Sequence, residues 1–182
     1  GYNLAGIKSP MVDKFINTMR SASQSPMWNT CKQWCLDHVD EFEHIDVDFI
    51  NSIDDELCQA ITLSTMHGCP AEEIESICSY LISEKGLNLY LKCNPTLLGP
   101  KRIRELLDNA GFEYIDFDDH QFEVDLQFDK AIPMLERLIA LGEKHNKIFG
   151  VKLTNTFPVQ IHNNELPGEQ MYMSGKSLLP VT

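Results

Sequence analysis

The chain has 182 residues, of which 43% are hydrophobic and 23% charged, and its formal net charge is −12 at pH 7. This length predicts one compact domain, residues 1–182, with a buried core. The acidic balance would repel phosphate backbones and anionic lipid, so we expect neither nucleic acid nor a membrane as partner. Six widely spaced cysteines without a signal peptide favour free thiols and a cytoplasmic location.

Residues 1–59 differ from the rest and are predicted to be mainly helical. Apolar residues recur at helical spacing after Pro10 and again between Trp28 and Val39. Cys31 and Cys35 fall on one face of the second helix, and we interpret them as core thiols rather than as a metal pair. The acidic stretch 37–56 is predicted to be a solvated insertion outside the sheet.

From residue 60 onward, the pattern alternates between strand and helix. Strands are predicted to end at Thr65 and Lys92 and to span 114–117 and 149–153, with helices over 71–84, 100–109 and 130–145. Such βα repeats, here over residues 60–182, predict about four parallel strands joined by right-handed helical crossovers.

Three of the apolar runs become polar where a strand would end, at residues 61–70, 89–99 and 149–159. In parallel α/β proteins, the loops that leave the carboxyl edge converge on one crevice. We therefore expect Cys69, Asn94 and Asn155 to face a common crevice.

The motifs at these strand ends resemble a known family. Residues 63–70 (Leu-Ser-Thr-Met-His-Gly-Cys-Pro), 92–99 (Lys-Cys-Asn-Pro-Thr-Leu-Leu-Gly), 151–156 (Val-Lys-Leu-Thr-Asn-Thr) and 166–180 closely resemble the putative selenate reductase subunit family. Its members are large bacterial iron–sulfur flavoproteins, and the resemblance spans essentially the whole chain. It implies an internal fragment of a partial (β/α)8 TIM barrel of the dihydroorotate dehydrogenase-like type.

The resemblance also implies roles for single residues. Lys92 looks like the strand-end lysine that lies near a flavin ring, although Lys152 competes with it for this role. Loop 64–69 resembles the loop that carries a Ser or Cys general base, which makes Cys69 and His67 the candidate acid/base groups. The Asn of that loop is missing here, and the predicted unit 114–145 separates the two lysine strands.

Further cofactor contacts are implied near the end of the chain. Thr154, Asn155 and Thr156 resemble a Thr-Asn-Thr strand end, and Ser174 and Gly175 resemble the start of a Ser-Gly-x-x-Leu-x-Pro helix entry. The glycine-rich strand of a flavin phosphate site would lie beyond residue 182. We therefore expect no cofactor in the fragment, with FMN and 4Fe-4S clusters in the full-length protein.

The lysines permit other interpretations. A strand lysine is costly to bury and normally meets an anion, a carbonyl or an electron-rich ring. Lys92 and Lys152 are therefore predicted to stabilise negative charge on a reduced flavin or a substrate enolate. A structural ion pair with an acid of 116–119 is the alternative, and a Schiff-base aldolase-like lyase is an alternative from another enzyme class.

Each remaining candidate has a structural alternative as well. Cys69 precedes a helix whose dipole would favour a thiolate, and the structural alternative is a cysteine that only packs in this tight turn. A zinc site built from His67, Cys69 and Cys93 lacks any standard spacing, so no metal site is predicted. The amides of Asn94 and Asn155 suit a pyrimidine-like or flavin edge, but they could equally close their own turns.

The sequence thus predicts part of a flavin- and iron–sulfur-linked oxidoreductase subunit, inactive as an isolated fragment. A non-catalytic barrel scaffold for assembly or electron transfer is the main alternative. We expect its partners to be a small-molecule substrate, other domains of the same polypeptide and redox partner subunits. An open barrel would leave unpaired edges and an apolar inner face, which predicts a homo-oligomer or coverage by residues 1–55.

Overall fold

The computed structural model describes residues 3–65, 67–163 and 166–182. Met66, which belongs to the predicted loop 64–69, and the first two residues lie outside the described residues. By its internal contacts the chain divides into two compact units, Tyr2–Gln59 and Ala60–Thr182.

The Tyr2–Gln59 unit is helical. Its α-helices are α1 (Leu4–Ile7), α2 (Pro10–Arg20), α3 (Pro26–Asp37) and α4 (Val47–Ser52), with 3-10 turns at Ala22–Gln24 and Val39–Glu41. Proline begins α2 and α3, where its missing N–H costs no helical hydrogen bond. The side chain of Asp46 caps α4 by accepting from the Phe49 N–H at 2.8 Å.

The prediction that Cys31 and Cys35 are core thiols was wrong. Cys31 is exposed and Cys35 is only half-buried, and α3 buries none of its residues. The buried side chains of this unit, such as Ile16, Ala22 and Ile50, come from its other elements. Helical spacing identified the face of α3, but the small interior of this unit is filled by side chains of its other elements.

The Ala60–Thr182 unit is built on a parallel sheet. Its strands are β1 (Ala60–Ser64), β2 (Asn88–Lys92) and β3 (Phe149–Lys152), in the order β1-β2-β3. Leu63 pairs with Leu91, and Leu91 pairs with Val151. The carboxyl ends of these strands therefore share one edge, as the sequence predicted.

Residues 114–117 do not form the predicted strand. The edge of β2 on which that strand was expected is paired with β3 instead. The guanidinium of Arg104 donates to the carbonyls of Phe112 and Ile115 and lies over the Phe117 ring, 5.5 Å from its centroid. Over the described residues the parallel sheet therefore has three strands where about four were predicted, and no strand separates Lys92 from Lys152.

Helices cover one face of the sheet. These are α5 (Ala71–Ser83), which packs on β2, and α8 (Phe128–Lys144), which packs on β3. The other two helices of this unit are α6 (Pro100–Asn109) and α7 (His120–Val124), whose buried residues belong to a second core. Leu89 and Leu91 are 0% and 1% exposed, whereas Tyr90 between them is 42% exposed. Side chains alternate between the faces of a strand, so the other face is open.

The open sheet face is polar. It carries Thr62 and Ser64 from β1, Tyr90 and Lys92 from β2, and Gly150 and Lys152 from β3. The prediction of an apolar inner face was therefore wrong. The apolar residues of each strand alternate onto the face that α5 and α8 cover, which leaves polar residues on the other.

A β-hairpin and a second core follow the sheet. The hairpin consists of β4 (Phe157–Gln160) and β5 (Gln170–Met173), which are antiparallel, and a 3-10 helix follows at Gly175–Val181. The core residues are Ile103, Leu107, Phe122, Phe157, Val159, Met173, Leu178 and Val181. Phe117 and Phe122 lie against Phe157, with ring centroids 5.2 and 5.9 Å away. In the described part of the chain, no helix is long and apolar enough to cross a bilayer.

Candidate functional site

A buried carboxylate lies at the carboxyl edge of the sheet. Asp125 directly follows α7, and its side chain is 0% exposed. The side chain of Gln127 holds this turn, because its Nε2 donates to the carbonyls of Phe122 and Asp125 at 2.6 and 2.7 Å. The helix end therefore fixes the backbone that carries the carboxylate.

Four groups donate hydrogen bonds to this carboxylate. Oδ1 accepts from the Gly68 N–H at 2.7 Å, and Oδ2 accepts from His67 Nδ1 at 2.7 Å, Thr96 Oγ1 at 2.8 Å and Asn94 Nδ2 at 3.1 Å. We call these five residues the Asp125 cluster. Burial by itself would raise the pKa of Asp125, but the bonds from His67, Gly68 and Thr96 outweigh it and lower the pKa below its usual value. Asp125 is therefore an anion at neutral pH.

Two strand ends supply these donors. The chain leaving β1 turns at Gly68, whose φ of +78° directs the backbone N–H toward Asp125. The chain leaving β2 supplies Asn94, and Thr96 follows in the 3-10 turn Pro95–Leu98. The cluster therefore occupies the crevice position that polar strand ends predict.

Asp125 orients the His67 imidazole through one of its two ring nitrogens. Since the ionised carboxylate only accepts, the 2.7 Å contact assigns a proton to Nδ1. The Asn94 amide lies 3.4 Å from the same nitrogen, but both groups are donors and this contact is no hydrogen bond. Nε2 is shielded from solvent and has no hydrogen-bond partner among the described residues. The Tyr172 ring lies near the imidazole, with centroids 6.3 Å apart and planes 23° apart.

The two predicted amides are bonded to each other. Asn155 Nδ2 donates to Asn94 Oδ1 at 3.1 Å, and the Asn155 N–H donates to the Cys93 carbonyl at 2.7 Å. Asn155 Oδ1 also accepts from the Thr156 N–H at 2.9 Å. These bonds close the loops after β2 and β3. Contact of either amide with a substrate or flavin stays a prediction.

Lys92 and Lys152 lie side by side on the open sheet face. They are register partners at the carboxyl ends of β2 and β3. Within the described ranges neither lysine forms an ion pair, and Asp116, an alternative partner, instead contacts His162 Nε2 at 3.0 Å. Two like charges at the same register position repel each other unless an anion lies between them.

Cys69 does not have thiolate character in this structure. Burial and the nearby Glu73 carboxylate raise the pKa of its thiol, opposite to the expected effect of the helix. The thiol lines a cavity of about 10 Å³, enough for about one water, together with Lys92, Asn94 and Asp125. Cys69 therefore shares the crevice with the Asp125 cluster but is protonated at neutral pH.

The remaining predicted contacts lie near the hairpin and the last turn. Thr154 Oγ1 is 3.5 Å from Thr182 Oγ1. Ser174 precedes the 3-10 helix Gly175–Val181, its carbonyl accepts from Ser177 Oγ at 3.3 Å, and Gly175 has a φ of +68°. These contacts are local, and a cofactor role for Thr154, Ser174 and Gly175 stays a prediction.

The central residue of the site was missed from the sequence. Asp125 lies between Val124 and Leu126, and an acid flanked by apolar residues at a helix end is the signal that could have identified it. Thr96 and Tyr172 were missed as well. In the described part of the chain, no group of three or more His, Cys, Asp or Glu residues is placed to hold a metal ion.

Comparison with known proteins identifies the family. Residues 1–182 match the family described as "Oxidoreductase YgfK, N-terminal TIM-barrel domain". The chain belongs to this family. Proteins named "Putative oxidoreductase YgfK" from Escherichia coli strain K12 and from Escherichia coli O157:H7 are each 44% identical to it over 193 residues. All of the chain is covered, but it spans only 19% of the length of these relatives. No solved structure matches the chain.

The family places the parallel sheet in a larger architecture. Its description names a TIM barrel, and the β1-β2-β3 sheet with its helical crossovers is consistent with part of one. The description names YgfK where the sequence motifs suggested the selenate reductase subunit family. The chain is thus a YgfK-type N-terminal barrel domain and part of a longer polypeptide.

Proposed function

We propose that the chain forms the substrate and cofactor crevice of a flavin- and iron–sulfur-linked oxidoreductase subunit of the selenate reductase type. The observation that carries this proposal is the pair Lys92 and Lys152, side by side at the carboxyl edge of the open sheet face without an acidic partner in the described residues. Family membership supports oxidoreductase chemistry, and other domains of the polypeptide would hold the iron–sulfur clusters.

The open face suits an electron-rich planar group. Adjacent strands are about 4.8 Å apart, so the two lysine stems start close enough to contact one anionic group together. Tyr90 lies on the same face, over Gly150, where an added Cβ would come within 2.8 Å of the tyrosine ring. An aromatic surface beside two cations favours a conjugated ring that carries negative charge.

A flavin fits this donor set. Lys92 and Lys152 would stabilise negative charge on its ring, and Thr154, Asn155, Thr156, Ser174 and Gly175 are the further proposed contacts. When bound, FMN would supply the hydride or electron transfer. His67 or Cys69 would exchange protons with the substrate, and the raised pKa of Cys69 favours His67 as the base.

The cofactor content of the full-length protein tests this proposal. We expect the purified protein to show flavin absorbance, and Lys92→Met and Lys152→Met each to weaken flavin binding at least about tenfold, the effect of losing one charge-assisted contact. Lys101→Met on α6, outside the open sheet face, is the control and should bind flavin normally. A colourless protein with intact clusters would instead favour the barrel scaffold.

The same lysines keep the aldolase alternative testable. An aldolase-like lyase would form an imine between a lysine amine and a carbonyl substrate, which borohydride reduces to a stable adduct. We expect no trapped adduct on Lys92 or Lys152 when the protein is treated with borohydride and a small aldehyde or ketone. Peptide mass spectrometry that locates an adduct on either lysine, but not on Lys101, would favour the lyase.

A further inference from the structure

The His67–Asp125 pair contains a buried nitrogen for which the described residues supply no hydrogen-bond partner. Nδ1 of His67 is bonded to Asp125, but Nε2 is shielded from solvent and unpartnered among the described residues. A buried polar atom without a partner costs free energy, so such atoms are rare in native proteins and need an explanation. A ligand or a water that bonds to Nε2 would remove this cost.

The cluster fixes which proton the imidazole carries. Gly68, Asn94 and Thr96 all donate to Asp125, so this carboxylate is held in one orientation. It accepts from His67 Nδ1–H, which leaves the lone pair of the neutral ring on Nε2. In the neutral tautomer that this bond selects, Nε2 is a hydrogen-bond acceptor.

We propose that His67 Nε2 accepts a proton from a small-molecule substrate that carries an acidic N–H or O–H group, with Asp125 as the positioning residue. In this step the substrate N–H or O–H bond breaks and its electron pair stays on the substrate. The proton bonds to Nε2, and Nδ1–H stays bonded to Asp125. The resulting imidazolium lies against the carboxylate, and the reverse step returns the proton.

The surroundings support this substrate class. An unpaired acceptor recognises a hydrogen-bond donor, which selects N–H and O–H groups over C–H groups. Lys92 lines a small cavity together with Asn94 and Asp125, so a cation lies beside two residues of the Asp125 cluster. Cys69 also lines it but has a protonated thiol, which leaves His67 as the acceptor.

A substrate can reach Nε2 only if a neighbouring side chain moves. We expect this side chain to be Tyr172. Its ring lies near the imidazole, yet the residue is 62% exposed and belongs to the hairpin strand β5. A largely exposed ring can change rotamer without opening a core. We therefore expect Nε2 to become accessible in solution, and more so in Tyr172→Ala.

The first measurement is the tautomer of His67, read from its ring ¹⁵N shifts in the complete 182-residue chain. The expected result is Nδ1–H over the other tautomer by at least about tenfold, the effect of a charge-assisted hydrogen bond. Asp125→Asn should reduce this ratio about tenfold. Asp116→Asn is the matched control, since it removes the carboxylate charge beside the exposed His162 and should leave His67 unchanged. A native His67 protonated on Nε2 would overturn the proposal.

The second measurement asks whether a small reagent reaches Nε2. Native chain is treated with diethyl pyrocarbonate, and modified histidines are located by mass spectrometry, with the exposed His44 as internal reference. The expected result is modification of His67 within about tenfold of the His44 rate, and faster modification in Tyr172→Ala. A native His67 that stays unmodified while His44 reacts would overturn the proposal.

This inference rests on the proposed function, but its test is separate. Neither measurement requires flavin, clusters or turnover, so a negative result leaves the lysine and flavin proposal standing. Conversely, a full-length protein without flavin would not change either result. The native chain decides both measurements even where Asp125→Asn fails to fold.

Discussion

At the level of single residues, the stability of the site depends on one ionised carboxylate. Replacing Asp125 by Ala would leave buried donors of Asn94 and Thr96 unpaired, so we expect a loss of about 3–5 kcal/mol in the free energy of unfolding. Urea unfolding at pH 7 measures it. Asp116→Ala is the control, since Asp116 is an exposed partner of a histidine and should change the free energy by about 0.5 kcal/mol at most. An equal effect of both variants would contradict this role of Asp125.

The same carboxylate predicts how stability depends on pH. The pKa of Asp125 is lower in the folded chain than the usual value of 3.8, which represents the unfolded chain. Between these two values the unfolded state binds more protons, so the stabilisation is complete above about pH 5 and decreases as the pH falls through the folded pKa. Urea unfolding at a series of acidic pH values should show this decrease in the native chain and a smaller one in Asp125→Asn.

The buried thiols give a second prediction at this scale. Burial, together with nearby Cys93 and Glu75, raises the pKa of Cys78 to about 12, and Cys78 is 0% exposed. Because only the thiolate reacts, we expect Cys78 to resist iodoacetamide at pH 8 in the native chain and to react fully in urea. Exposed Cys31 is the internal control and should be alkylated in both conditions. If Cys78 were alkylated in the native chain as fast as Cys31, Cys78 would not be buried.

The sequence predicts those site residues that a local pattern marks, and it misses those whose partners are distant along the chain. His67, Lys92, Asn94 and Asn155 were predictable because each follows or ends an apolar run, which is a local pattern. Asp125 lies 58 residues from His67 along the chain, and the pairing exists only after the chain folds. The local pattern therefore identified the edge of the sheet where the site lies, but not Asp125, the central residue of the site.

At the level of elements, α8 approaches β3 so closely that one position requires glycine. A Cβ on Gly142 would lie 2.8 Å from the Lys147 carbonyl oxygen and 3.3 Å from Phe149 Cβ. An alanine normally stabilises a helix by about 0.5–1 kcal/mol over glycine. Here we expect Gly142→Ala to destabilise the chain by about 1–3 kcal/mol, because the crowded backbone must shift.

Thermal or urea unfolding of two variants separates these opposing effects. Ala140→Gly changes an exposed position of the same helix and should cost about 1 kcal/mol by helix propensity alone. Gly142→Ala should change stability in the direction opposite to helix propensity. A Gly142→Ala variant as stable as the native chain would mean that the contact between α8 and β3 is looser than described.

Element types were more predictable than their pairing. The helices around Ala71–Ser83, Pro100–Asn109 and Phe128–Lys144 follow from apolar spacing and terminal proline or glycine. Residues 114–117 have the composition of a strand, but the Ile115 carbonyl accepts from Arg104 and β3 occupies the edge of β2. Strand propensity is overridden when the hydrogen-bond partners of a segment are supplied elsewhere.

At the level of the whole molecule, the polar open face indicates that the three-stranded sheet lacks the other strands of a barrel. Barrel interiors are filled by side chains from all strands, and the family description names a TIM barrel. In the described residues, β1 and β3 are the outer strands of the parallel sheet, each with one unpaired side. We propose that other strands of the longer polypeptide pair with these edges and enclose the open face.

Hydrogen exchange tests this completion of the barrel, with β2 as an internal control because it is paired on both sides. In the 182-residue chain we expect amides of β1 and β3 to exchange faster than those of β2, since half of their positions lack a ladder partner. In the full-length protein, β1 and β3 should become protected to the level of β2, whose own protection should change little. Light scattering on the isolated chain should show self-association that increases with concentration, because unpaired edges template one another. Edge strands that exchange at the same rate in both proteins would show that nothing pairs with them, and the barrel would then have to close by some other route.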